Sequence, residues 1–184
     1  MIRLVLVALC AAAIAVAGCD GPAAPAAAAA EAPQADGAAA TIERGRYLVA
    51  VMDCAGCHNE GAFSPNPQDG FLQGAEVGHE VPGLGIFYPP NLTPHAESGL
   101  GRWTEDQIVA AIRSGRRPDG RELSPAMPWR SYAALTDEDA RAVAAYLKSL
   151  PAADHRVPAP ATAGTARRPY LTMRVPGTAQ EGGR

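Results

Sequence analysis

The amino-acid sequence predicts an all-α domain of three or more helices joined by long loops rich in Gly and Pro. Three segments repeat apolar residues at helical spacing, and each has a recognisable start or stop signal. The chain has 19 Gly and 17 Pro among its 184 residues, so much of it lies outside regular elements. Residues 59–102 are especially rich in both, and a loop of that length needs something to pack against.

The first predicted helix begins at Thr41, a residue type that caps helix starts, and has Glu43 in its first turn. It is predicted to run directly into Cys54. Its apolar stripe consists of Tyr47, Leu48, Val51, Met52 and Ala55.

Two further helices have clear signals at both ends. The second begins at Thr104 with Gln107 three residues later, the spacing of a capping box, and Gly115 ends it. The third begins at Thr136 and ends before Pro151. The apolar faces consist of Ile108, Ala111 and Ile112 in the second helix and of Ala140, Val143, Ala144 and Leu147 in the third.

Residues 1–18 read as a secretory signal peptide. A short positive start at Arg3 precedes an apolar run too short for an ordinary membrane-spanning helix, although a short membrane anchor is the alternative. The run ends in Val-Ala-Gly-Cys, which resembles the lipobox of bacterial lipoproteins and makes Cys19 the candidate lipidated residue. The alternative is plain cleavage that leaves Cys19 as a free thiol. Residues 19–40 are rich in Ala and Pro and are predicted to be a linker.

Two other segments carry weaker signals. Residues 71–77 and 84–88 fit a small hairpin inside the long loop. Residues 152–184 form a Pro-rich tail, predicted to be partly disordered. The tail has one apolar cluster that could either dock on the domain or remain free, made of Tyr170, Leu171, Met173 and Val175.

The strongest chemical signal is Cys54-Ala55-Gly56-Cys57-His58. Two thiols at this spacing can add to the two vinyl groups of one haem, and the following His58 then supplies an iron ligand. A zinc site would need a second ligand pair, and no other close Cys pair exists in the sequence. A redox disulfide would need an alternating strand and helix context, which is not found. The motif therefore predicts one covalently bound haem.

The second iron ligand is predicted to be Met127, within Ser-Pro-Ala-Met-Pro-Trp. The flanking prolines restrict the loop that would present the sulfur, and Met/His ligation raises the reduction potential. Ordinary core packing is the alternative for any Met. The rival ligands are Met52, Met173, His155, His79 and His95, of which the last two fit only an iron with two His ligands.

Residues 41–151 resemble the class I cytochrome c domain. The resemblance rests on the Cys54–His58 motif, the Met127 loop and a last helix ending in Ala-Tyr-Leu-Lys-Ser-Leu-Pro. In that family a Gly of the first helix meets an aromatic residue of the last helix, and Gly45 and Tyr146 fit these roles. The segments 88–94 and 99–104 further resemble cytochrome domains that serve membrane-bound periplasmic dehydrogenases. Many such subunits have three haem motifs, whereas this sequence has one.

The resemblance implies four further cofactor contacts. Tyr88, Asn91, Trp103 and Trp129 would line the haem or bond its propionates, although ordinary core positions are the alternative for each aromatic residue. A group of Arg residues between 102 and 121 either offsets the negative charge of the propionates or forms a solvated face of mixed charge.

The resulting hypothesis is a periplasmic electron carrier and not an enzyme. We expect it to accept electrons from a dehydrogenase and pass them to an oxidase or another cytochrome of the respiratory chain. A fixed subunit of a dehydrogenase complex is one variant of this hypothesis. A haem protein with an open iron site, acting as gas sensor or enzyme, is the alternative. The formal net charge of −3 gives no basis for a nucleic-acid partner.

Overall fold

The computed structural model describes residues 34–173. The predicted signal peptide, Cys19, the first part of the linker and residues 174–184 lie outside this range. The elements in chain order are α1 Gln34–Val51, α2 Cys54–His58, β1 Gly78–Val81, β2 Gly85–Phe87, α3 Glu105–Ser114, α4 Trp129–Tyr132, α5 Asp137–Ser149 and β3 Tyr170–Leu171. Within residues 34–173, no helix has the length and apolar character needed to cross a membrane.

Helix α1 differs from the prediction at both ends. It begins at Gln34, so residues 34–40 of the predicted linker are helical, as their Ala content favours. Thr41 is an interior residue whose hydroxyl donates to the Gly37 carbonyl at 2.9 Å, and not a cap. The helix stops at Val51, because Asp53 adopts a left-handed conformation with φ 52° before α2 begins. The prediction of one continuous helix into Cys54 was therefore wrong.

The predicted ends of α3 and α5 are confirmed. Thr104 and Gln107 form a reciprocal capping box, and Gly115 ends α3 in the left-handed region at φ 70°. The Thr136 hydroxyl accepts the Asp139 N–H at the start of α5. These local bonds satisfy backbone donors that a helix start otherwise leaves free.

The core lies around α5, on which α1 and α3 both pack. Its buried side chains are Leu48, Val49, Leu72, Leu100, Ile108, Ile112, Ala142, Val143, Ala144 and Leu147. Helices α1 and α5 touch at Gly45, where a Cβ would lie 2.0 Å from the Ala142 carbonyl oxygen and 2.7 Å from the Tyr146 Cβ. The predicted Gly–aromatic contact is confirmed, and its reason is that only Gly leaves room for the two backbones.

The described residues also contain a small sheet, so the prediction of an all-α domain was incomplete. Strand β1 pairs antiparallel with β2, with His79 opposite Phe87, and it pairs parallel with β3. The predicted hairpin exists, but its first strand follows residues 71–77 and does not lie within them. Strands of two to four residues are too short for an alternating pattern to be recognised.

The tail docks on the domain as far as Met173. The Ile86 and Ala161 backbones exchange two hydrogen bonds, at 2.7 and 2.9 Å. The Gly78 N–H donates to the Pro169 carbonyl at 2.9 Å where β3 begins. Of the two alternatives left open for the apolar cluster, docking therefore describes the tail as far as residue 173, and this part covers the hairpin of the long loop.

A variant pair tests the contact between α1 and α5. Replacing Gly45 by Ala places a Cβ against backbone that cannot move, and we expect the free energy of unfolding to fall by about 3 kcal/mol. A Cβ at Gly37 in the same helix would point into open space. Replacing Gly37 by Ala should therefore raise the free energy of unfolding by up to about 1 kcal/mol. Guanidinium chloride unfolding of the purified proteins measures both changes. Equal stability of the two variants would contradict the close contact.

Candidate functional site

Helix α2 presents both cysteines and His58 within five residues. Cys54 and Cys57 are three positions apart, so their partly buried side chains lie on neighbouring positions of one helix face, and both thiols are free. Gly56 between them lies against the Asp53 carboxylate, which would have to shift to make room for a Cβ. The left-handed turn at Asp53 folds its side chain against this helix and sets the direction in which α2 leaves α1.

The electrostatics of the two thiols disfavour their charged forms. Burial, followed by the nearby Asp53 charge, raises the pKa of the Cys54 thiol to about 12, and the same causes raise the pKa of Cys57. A redox dithiol normally has a lowered thiol pKa, and zinc takes thiolates. Within the described part of the chain, no three His, Cys, Asp or Glu residues group as metal ligands. The pair fits covalent attachment of a cofactor better than either rival.

The His58 ring is buried and held in one orientation. Its Nδ1 lies 2.8 Å from the Pro90 carbonyl oxygen, which can only accept, so Nδ1 carries the hydrogen. Burial lowers the pKa of His58 to about 4, although the bond to Pro90 opposes the shift. The ring is therefore neutral at physiological pH, and the Nε2 lone pair is left as the metal-binding atom.

The loop around Pro90 is anchored by backbone pairing. The Ala75 N–H donates to the Pro89 carbonyl at 3.0 Å, and the Leu92 N–H donates to Leu72 at 2.8 Å. The Gly74 N–H donates to the His58 carbonyl at 2.7 Å. Residues 72–75 thus connect the histidine backbone to the segment that orients its ring.

The structure places Met127 in a tight turn immediately before α4. The Met127 N–H donates to the Ser124 carbonyl at 3.0 Å, and the Met127 carbonyl accepts from Trp129 at 2.8 Å. The side chain is partly buried. Met127 as the second iron ligand stays a prediction, and the defined turn is compatible with it.

The rival ligands differ in how the protein uses them. The Nδ1 atoms of His95 and His155 lie 2.8 Å from the Ser98 hydroxyl and the Gln73 carbonyl respectively. Met173 is 79% exposed, and Met52 packs against the core. His79 packs edge-on against Phe63, and its buried Nε2 has no hydrogen-bond partner among the described residues.

Two of the four predicted contact residues are tryptophans placed beside α3. The Trp129 ring lies across Gly115, where a Cβ would come within 2.7 Å of it. Its buried Nε1–H finds no acceptor among the described residues, and it would suit a carboxylate of a bound cofactor. Trp103 packs against the core, and Arg117 stacks on its ring at 5.2 Å.

The other two predicted contact residues bond to the tail. The Tyr88 hydroxyl donates to the Arg168 carbonyl at 3.0 Å. The Asn91 amide nitrogen lies 2.8 Å from the Ala153 carbonyl and 3.2 Å from that of His155. Contact of these residues with a haem stays a prediction, but a bond to a propionate would require giving up a tail partner.

Most of the Arg residues predicted as a solvated group are paired. Arg102 contacts Glu97, Arg113 contacts Asp137, and Arg117 and Arg121 both contact Asp119. These pairs are largely exposed, so each contributes little to stability. The arrangement supports the mixed-charge face over a concentrated positive patch.

Sequence reasoning missed three residues that organise the site. Asn59 follows the motif directly and is 1% exposed; its side chain accepts the Leu72 N–H and donates to Pro67. The Tyr132 hydroxyl donates to the Met52 carbonyl at 2.9 Å and ties α4 to the end of α1. Pro90 acts through its carbonyl oxygen, which no sequence pattern reports. In the sequence, the signal for Asn59 was its position, as a polar residue directly after the motif.

Taken together, these residues fit a covalently bound haem. Two free thiols lie one helical turn apart and a neutral imidazole offers Nε2. The Trp129 Nε1–H, which has no partner among the described residues, would suit a propionate. Such a haem supplies a one-electron couple at its iron. The residues of this chain would contribute its attachment through the two thiols and the orientation of one ligand through the bond of His58 to Pro90.

Comparison with known proteins agrees with this geometry. The cytochrome c family model matches residues 42–151. The fructose dehydrogenase cytochrome subunit of Gluconobacter japonicus is 41% identical over 109 residues, which are 58% of this chain and 21% of that protein. The cytochrome c subunit of the alcohol dehydrogenase (quinone) of Gluconobacter oxydans (strain 621H) is 37% identical over 111 residues, 60% of this chain and 22% of that protein.

A third relative bears on the number of haems. A diheme cytochrome c-type protein of Cereibacter sphaeroides is 30% identical over 118 residues, 64% of this chain and 39% of that protein. The chain spans only about a fifth of the two dehydrogenase subunits. The family match, in contrast, covers more than half of this chain and includes the whole motif. The chain therefore belongs to the cytochrome c family, whose domains bind haem c covalently.

Proposed function

We propose that this protein is a single-haem electron-transfer cytochrome, with one haem bonded to Cys54 and Cys57 and its iron held by His58 and Met127. The observation that carries the proposal is the buried His58 ring, whose Nδ1–H is committed to Pro90 and whose Nε2 remains for iron. The single Cys-x-x-Cys-His motif of this sequence supports one haem. The Pro-flanked turn at Met127 supports a closed, six-coordinate site.

The proposed role is transfer of single electrons between proteins and not catalysis on a substrate. Two relatives are cytochrome subunits of dehydrogenases, which supports a dehydrogenase as electron donor. The proposed acceptor is an oxidase or another cytochrome of the respiratory chain. The protein's own residues hold the cofactor, exclude water from the histidine side and keep the ring orientation constant.

The proposed location is the periplasm, at the membrane surface. The first 18 residues support export, and Cys19 after Val-Ala-Gly supports a lipid anchor. Acyl chains on one residue hold a protein to a membrane, since each buried methylene contributes about 0.8 kcal/mol. The segment between Cys19 and α1 would then link the anchor to the domain.

The first test is the reduced-minus-oxidised optical spectrum of the mature protein, with and without carbon monoxide. We expect a c-type spectrum that carbon monoxide leaves unchanged, because two protein ligands close the iron. Mass spectrometry of the same sample should find the mass of one covalent haem. A spectrum that shifts promptly with carbon monoxide would instead favour an open iron site, acting as gas sensor or enzyme.

A variant pair tests the second ligand. Replacing Met127 by Ala should open the iron to carbon monoxide and lower the reduction potential, because the thioether favours the reduced form. Replacing the exposed Met173 by Leu is the matched control and should alter neither property. Optical titration with carbon monoxide and potentiometry measure both. A Met127→Ala protein that still excludes carbon monoxide would point to another ligand, with His79 the first to examine.

A second pair tests the anchor. Replacing Cys19 by Ala should move the haem protein from the membrane fraction to the soluble periplasmic fraction, because the acylated residue is lost. Replacing Cys10 by Ser, within the predicted signal, should leave the distribution unchanged. Fractionation followed by haem staining measures the result. Equal membrane retention of the Cys19 variant and wild type would contradict lipidation.

A further inference from the structure

The tail beyond the family match lies against the loop that orients His58. We call residues 152–173 the tail strap; the family match ends at residue 151. The strap runs past the hairpin and adds β3 to its edge. Its first residues also reach the Pro90–Asn91 segment, through Gly74 and through the Asn91 side chain.

The first contact is made through Gly74. A Cβ at this residue would lie 2.6 Å from a methyl carbon of Val157, 2.7 Å from the Asn91 nitrogen and 2.9 Å from the Pro90 carbonyl carbon. Gly74 is therefore held between the strap and the peptide group whose oxygen accepts the His58 hydrogen. Its own N–H donates to the His58 carbonyl at 2.7 Å. Gly74 therefore connects Val157 of the strap with both the Pro90–Asn91 peptide and His58.

The second contact is made by the Asn91 side chain, which is 2% exposed. Its amide donates to strap carbonyls, at 2.8 Å to Ala153 and 3.2 Å to His155, and its oxygen accepts the Thr93 N–H at 2.8 Å. A side chain this buried cannot exchange these partners for water without cost. The residue next to Pro90 is consequently fixed to the strap.

The strap is itself anchored on the same loop. Because the Gln73 carbonyl only accepts, the His155 Nδ1–H donates to it, at 2.8 Å. The Arg168 guanidinium lies 2.9 Å from the Glu76 carboxylate, and the His155 Nε2 lies 3.3 Å from the same side chain. His155 precedes Val157 in the sequence and Arg168 follows it, so these contacts hold the Val157 side chain against Gly74.

We propose that the tail strap is a positioning element for the proximal ligand, and that Val157 and Asn91 hold the Pro90 carbonyl against His58 Nδ1–H. This inference rests on the proposed function, in which His58 ligates iron. A hydrogen bond to the second nitrogen of a ligating histidine fixes the ring and raises its basicity. A more basic imidazole favours the ferric state, so the strap lowers the reduction potential by strengthening this bond.

The test uses the full-length, haem-loaded protein and the variants Asn91→Ala and Val157→Ala. We measure exchange of the His58 Nδ1–H with solvent by NMR of the ferrous form, and the reduction potential by potentiometry. Asn91→Ala should exchange this hydrogen about tenfold faster or more, because local opening becomes easier when a buried bond is lost. Val157→Ala should also accelerate exchange of the His58 Nδ1–H, by a smaller factor. Both potentials should rise.

The matched control is Thr172→Val, which removes the hydrogen bond from the far end of the strap to Glu80 and should change neither quantity. Val157→Ala keeps every polar contact of Asn91, so it separates positioning from a direct cofactor contact of Asn91. Wild-type values of either quantity in both variants would overturn the inference. A fall in potential would do the same, because it would indicate entry of water, which stabilises the ferric state.

The proposed function can fail separately. A wild-type protein without covalent haem would overturn both the proposed function and this inference. Normal haem in the wild type with unaffected variants would overturn the inference alone.

Discussion

The hydrogen bond from the buried His58 ring to the Pro90 carbonyl is the interaction on which the rest of the site depends. The two residues are 32 positions apart, so the ring orientation is a property of the folded loop and not of the motif. Burial keeps the imidazole neutral, and the bond to Pro90 then leaves one nitrogen for a metal. Everything that holds Pro90 in place thereby also determines how the His58 ring is oriented.

The three long helices provide the rigid frame for this bond. Gly45 lets α1 and α5 approach until their backbones touch, and the apolar faces of α1, α3 and α5 close the core. From α5, Lys148 donates to the carbonyls of Leu100, Gly101 and Trp103 at 3.0–3.3 Å. One charged side chain thus satisfies three backbone acceptors of the long loop and connects it to the frame.

The long loop is stable because other segments satisfy its backbone. Residues 72–75 pair with 89–92, the hairpin of β1 and β2 covers one side, and the tail adds backbone hydrogen bonds at Ile86 and Gly78. Buried backbone groups need such partners whether or not they belong to regular elements. A Gly- and Pro-rich segment can therefore form an ordered wall around a cofactor without long strands or helices.

The sequence by itself determined the attachment motif, the caps of α3 and α5, and the contact at Gly45. The motif and the caps depend on residues close in sequence, so local chemistry is sufficient for them. The contact at Gly45 joins the first and last helices, and the family resemblance implied it. Only the tertiary structure decided that Pro90 orients His58, that Asn91 bonds to the tail, and that the domain includes a small sheet. The His58–Pro90 bond, the Asn91–Ala153 bond and the β1–β3 pairing join segments 32, 62 and 92 positions apart, each through at least one backbone group, and backbone carbonyls are the same in every residue. No residue pattern can report them, because the fold alone brings those atoms together.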